Sequence, residues 1–242
     1  VFSWLSFFPI LFAEQRDAQF QNVHLAFQII LVLKQRVMHR RADKNEDQGR
    51  EHLAGDAEVR LHLPGIRGIA FGHPGKKLTF MGGEFGQERE WNHDAGLDWH
   101  LLEDKLHSGM ALWFRDINRF YRDNAPLWEM DYEQSGFEWI DCDDAASSIV
   151  SFLRRDKSGR EMIMIYNFTP VLRTKYRIGV PKGNVWLEVL NSDASCYGGR
   201  NTGNLGRITT EKVSYHGRPY SALLTLPPLA CIVLEPEETK NS

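Results

Sequence analysis

"FEWIDCDDAASSIVSFLRRDKSGREMIMIYNF", from Phe137 to Phe168, contains three short apolar runs parted by polar and glycine-bearing stretches. Runs of this length bounded by turn residues read as strands, and Asp156-Lys-Ser-Gly159 is the turn joining the second to the third. Four runs of the same texture follow: "TKYRIGV" from Thr174, "VWLEVLN" from Val185, "SALLTL" from Ser221 and "ACIVLE" from Ala230. Pro181-Lys-Gly183 supplies a further turn. Seven such runs in roughly a hundred residues predict an antiparallel β-sandwich, here over residues 127–238.

Upstream of Pro126 the period changes. "LHSGMALWFRDINRFYRDN" puts Leu106, Met110, Trp113, Ile117 and Phe120 at helical spacing, with Arg115, Asp116, Arg119, Arg122 and Asp123 on the opposite face. Asn124 and Pro126 stop that helix. Before it, "LTFMG" (Leu78 to Gly82) has the length and texture of a buried strand, closed by Gly82-Gly83. A strand, a loop and a helix over residues 71–126 form the repeating unit of a (β/α)₈ barrel. The expected class is therefore α/β plus all-β, a barrel end followed by a sandwich.

Composition narrows the chemistry. The 242 residues are 42% hydrophobic and 25% charged, as in globular proteins with a sizeable core. A net charge of -3 offers no basic surface for nucleic acid or an acidic membrane. The three cysteines, Cys142, Cys196 and Cys231, have neither metal-ligand spacing nor a disulfide framework, which fits a reduced cytoplasmic setting. The apolar opening "VFSWLSFFPILFA" lacks a basic flank and is too short to span a bilayer.

The loop between strand and helix concentrates the candidates: Glu84, Glu88, Glu90, Asp94 and Asp98, with Trp91 and Trp99. Glycoside chemistry needs two carboxylates at a fixed separation, but barrel sites draw them from different strand ends. The loop therefore reads as substrate lining or scaffold, and its indoles as sugar platforms or wedges. His93, His100 and His107 recur every seven residues, yet Gly96 argues against one continuous helix. They read as adventitious polar histidines, with no metal site. "GGRNTGN" (Gly198 to Asn204) precedes no helix and reads as a surface loop. No nucleophile elbow, phosphate loop or dinucleotide fingerprint is present.

"HPGKKLTFMGGEFGQEREWNHDAGLDWHLLED" (His73 to Asp104), followed by "GFEWIDCDD", "SFLRRD", "YNFTPV", "EVLNSD" and "HGRPYSALLTLPPLACIVLEP", resembles the C-terminal part of bacterial 1,4-α-glucan (glycogen) branching enzymes. The resemblance runs from about Gly72 to Pro236 and implies the α-amylase superfamily. It implies a transferase of glycogen biosynthesis that cleaves an α-1,4-glucan and rejoins the piece through an α-1,6 bond. The partner it implies is glycogen or amylose, with no cofactor. It places Glu84, Trp91 and Asp94 at the rim of the active-site face, as substrate-binding residues.

The family's three catalytic carboxylates lie in motifs upstream of "HPGKK", and residues 1–70 resemble none of them; His52 and Asp56 in "EHLAGDAE" have a different spacing. No catalytic residue is assigned. The chain is expected to be a fragment, inactive alone, whose natural packing partner is the missing barrel portion. Residues 1–70, including a helix expected from Asn22 to Arg36, read as shifted reading frame or poorly ordered sequence. Two rival readings are a glucan-binding module without catalysis and a gene fragment without function.

Overall fold

The computed structural model describes residues 65, 68–89 and 91–238; the helix expected at Asn22–Arg36 and nearly all of residues 1–70 lie outside them. All seven expected runs form strands, and an eighth joins them. They are β1 (Phe137–Asp141), β2 (Ile149–Arg155), β3 (Glu161–Asn167), β4 (Arg173–Val180), β5 (Val185–Asn191), β6 (Arg207–Thr209), β7 (Tyr220–Leu226) and β8 (Cys231–Pro236). A six-stranded antiparallel sheet has the order β1-β2-β3-β8-β5-β6, and β4 pairs with β7 in a second sheet. β6 escapes the sequence pattern because only Ile208 of its three residues is buried.

The core lies between the sheets. Ile149, Leu153, Ile163, Ile165, Trp186, Ile232 and Leu234 of the larger sheet meet Ile178, Val180, Ala222, Leu224 and Leu226 of the smaller. Strands β2 and β3 are buried on both faces, which is why "EMIMIYN" shows no alternation. Their outer face is covered by a helical segment at residues 68–72 and the turn after it. There the Tyr166 hydroxyl donates to the Gly68 carbonyl at 3.2 Å, and the His73 ring meets Phe137 at 5.4 Å and Phe152 at 6.2 Å.

The expected helix forms as α1 (Lys105–Asp123). Asp104 caps it, its Oδ1 accepting from Leu106 N–H at 2.8 Å and His107 N–H at 3.4 Å. Met110, Trp113 and Ile117 bury one stripe together with Phe71. The same helix docks on the 3-10 turn Ser195–Tyr197 of the β-domain. Trp113 meets the Tyr197 ring edge-on at 5.1 Å, and the Tyr197 hydroxyl donates to Asp116 at 3.1 Å. Gly109 permits this approach, since a Cβ there would sit 2.5 Å from the Tyr197 carbonyl oxygen.

One expectation fails. Leu78–Gly82 is not a strand: the stretch has no regular structure before a turn, and Leu78, Phe80 and Met81 are 68%, 51% and 57% exposed. A strand exists only where a neighbour completes its hydrogen-bond ladder, and among the described residues no strand pairs with this stretch.

Candidate functional site: the loop before the helix

Between Met81 and Asp104 the chain folds back on itself around two glycine turns. Gly82 (φ 79°) and Gly86 (φ 73°) take left-handed conformations that side chains resist. Gln87 N–H then closes onto the Gly82 carbonyl at 2.8 Å. Phe85, between the glycines, is 1% exposed and anchors the loop. His107 of α1 bonds the Phe85 carbonyl through Nδ1 at 2.9 Å. A carbonyl only accepts, so Nδ1 carries a proton in this bond, and Nε2 lies 3.7 Å from a Glu88 carboxylate oxygen.

The second half of the loop is pinned by Asp98. Arg89 grips both of its carboxylate oxygens, through Nε at 2.9 Å and through its terminal nitrogen. The Asp98 N–H donates to Gln87 Oε1 at 2.9 Å. Hydrogen bonding from Arg89 holds the Asp98 carboxyl below the usual carboxylate range, despite the desolvation that opposes it. A carboxylate so held is a poor proton donor at neutral pH and serves here as an anchor.

Glu84 sits half-buried in the glycine turn. Trp91 is 40% exposed and meets the exposed Phe80 edge-on at 5.8 Å. Asp94 is exposed, with Oδ1 3.2 Å from His93 Nε2 and its N–H bonded to Asn92 Oδ1 at 3.0 Å. A recess of about 170 Å³ is lined by Gln87, Arg89, Asn92, Ala95, Gly96 and Leu97. It is a notch beside the roughly 300–1,000 Å³ of usual ligand pockets, and none of Glu84, Trp91 and Asp94 lines it.

The histidines divide differently from their even spacing. His93 is exposed in the loop, His100 is exposed in the 3-10 helix Trp99–Glu103, and His107 is 2% exposed in α1. His107 is thus part of the helix's buried stripe, and its place three residues before Met110 was the available signal. The pairing of Arg89 with Asp98, nine residues apart, carries no periodic signal. Among the described residues no three His, Cys, Asp or Glu side chains are placed to hold a metal ion. Nor is any described helix long and apolar enough to cross a membrane.

The family model described as alpha amylase, C-terminal all-beta domain matches residues 139–237. The chain is 52% identical over 185 residues to the 1,4-alpha-glucan branching enzyme GlgB of Cereibacter sphaeroides, covering 76% of this chain and 25% of that protein. It is 54% identical over 167 residues to GlgB of Paraburkholderia xenovorans, covering 69% and 23%. For GlgB of Aquifex aeolicus the values are 51% over 177 residues, 73% and 28%. The chain thus spans about a quarter of the length of the curated relatives it matches. Among solved structures, a pullulanase of Group B Streptococcus superposes with a TM-score of 0.51 at 12% identity, over 74% of this chain and 28% of that one, a likeness of fold. Over residues 139–237 this chain carries the α-amylase C-terminal all-β domain, and over its C-terminal region it is similar to the C-terminal part of the GlgB branching enzymes.

Proposed function

We propose that this chain supplies the C-terminal end of a cytoplasmic 1,4-α-glucan branching enzyme: residues 71–126 complete the catalytic barrel, and residues 127–238 form the β-domain that braces it. The observation that carries this reading is the 52% identity over 185 residues to a protein named for that activity. The exposed apolar residues Leu78, Phe80 and Met81 support it, since a segment of this kind suits a barrel strand whose neighbours come from the remainder of a longer polypeptide. In such an enzyme an Asp nucleophile displaces the glycosidic oxygen with help from a Glu acid, and a sugar hydroxyl then takes the place of water as acceptor.

In that reaction the loop binds and orients. Glu84, Trp91 and Asp94 contact the α-glucan at the rim, while Arg89, Asp98 and His107 hold the loop in shape. The residues that carry the bond exchange lie outside the matched segment, and the reaction calls for no cofactor. The test is co-sedimentation of the whole chain with glycogen, beside a branching assay on amylose. The reading expects retention on glycogen without new α-1,6 linkages. A well-folded chain that ignores glycogen would overturn the glucan-facing role.

A further inference from the structure

Two exposed indoles share the loop, and they differ in what stands behind them. Trp91 leans edge-on, at 89°, against Phe80, which is itself 51% exposed. Trp99 is more exposed, at 55%, yet its ring overlies Phe85 at 5.0 Å and 33°, and Phe85 is buried. Phe85 is in turn fixed by the His107 bond to its carbonyl. Trp99 also opens the 3-10 helix Trp99–Glu103, directly after Asp98 with its Arg89 fork. One face of the Trp99 indole is thus backed by rigid core and its backbone is anchored at both ends.

We infer that Trp99 is the stacking platform for a pyranose ring of an α-1,4-glucan. This rests on the glucan reading above. A pyranose presents an apolar C–H face, and an aromatic ring held open to solvent on a rigid backing matches that face. Pre-organisation separates the two indoles. Trp99 is already held in place, whereas Trp91 must be immobilised together with Phe80 when a sugar binds. Trp91 then contributes to the rim without bearing the ring.

The test is titration of the full chain with maltoheptaose, followed by tryptophan fluorescence and by retention on amylose gel. Trp99→Ala should weaken binding by about tenfold or more, Trp99→Phe should recover most of it, and Trp91→Ala should change it less than about threefold. If Trp99→Ala does not fold, Trp99→Gln, which keeps bulk without an aromatic face, takes its place. Binding that survives loss of Trp99 but falls with Trp91→Ala overturns this inference and leaves the glucan reading standing. A folded wild-type chain that binds no maltoheptaose and no glycogen overturns both.

Discussion

The Arg154 guanidinium, with no exposed surface, donates to the Asp131 carboxylate at 2.6 Å. The nitrogen that makes this bond also reaches the Leu127 carbonyl at 3.1 Å, and the other two reach the carbonyls of Gly72 at 2.7 Å and Gly136 at 3.3 Å. One side chain of β2 therefore ties together the end of the 68–72 helical segment, the turn after α1 and the lead into β1. Removing it strands a buried carboxylate and three carbonyls. Arg154→Leu is expected to cost about 3–5 kcal/mol in urea unfolding. Arg154→Lys should recover little, because an ammonium cannot reproduce the planar fork.

The contact between α1 and the β-domain depends on Gly109. A methyl group there meets backbone atoms of Tyr197 at 2.5 and 2.7 Å, which cannot swing aside as a flexible side chain would. Gly109→Ala should therefore lower Tm, although alanine favours helix by about 1 kcal/mol over glycine. A rise in Tm would show that the helix does not dock as described.

His73 gives the fold an acid-sensitive term. Burial pulls its pKa down from 6.5 to about 4. The folded state holds the ring neutral, among Phe137, Trp139 and Phe152, with Nδ1 on the Pro74 carbonyl. Between pH 6.5 and 4 the unfolded chain binds the extra proton, so stability falls as pH drops through that window and is unaffected above it. The full effect is up to about 3 kcal/mol. Asp98 has the opposite sense: its lowered pKa stabilises the fold above the ordinary carboxylate pKa, and that contribution is lost as pH falls below it. His73→Phe should flatten the stability profile between pH 6.5 and 4, measured by urea unfolding, and leave the acid loss below it.

The thiols should separate by burial. Cys196 is exposed, whereas Cys231 is fully buried and desolvation pushes its pKa up to about 12. An aromatic disulfide reagent at pH 8 should label Cys196 in the native chain and reach Cys231 only on unfolding. Native labelling of Cys231 would place β8 at the surface.

Where sequence and structure agree, a local signal existed. The strands had turn residues at their ends, and α1 had its stripe and its Asp104 cap. Arg154 and Arg155 look alike in "SFLRRD", yet one is fully buried and the other reaches Glu138 and Glu161 with 29% of its side chain exposed. Period two puts Arg154 on the Phe152 face, but only the covering segment at 68–72 makes that face interior. Leu78–Gly82 failed for the converse reason. Its apolar texture states a preference for burial, and no described strand pairs with it. In the loop, Glu84, Trp91 and Asp94 were legible as residue types suited to sugars. The supports that shape the loop, Arg89 on Asp98 and His107 on Phe85, arise from folding across nine and twenty-two residues.

As proposed, residues 72–236 serve as the closing end of a branching enzyme. The most direct measurement replaces the matched segment of the Aquifex aeolicus relative with this stretch and follows formation of α-1,6 branches on amylose. A folded chimera that branches amylose at a rate within about tenfold of the parent's is expected. A chimera that folds with the parent's cooperativity and forms no branches would contradict it.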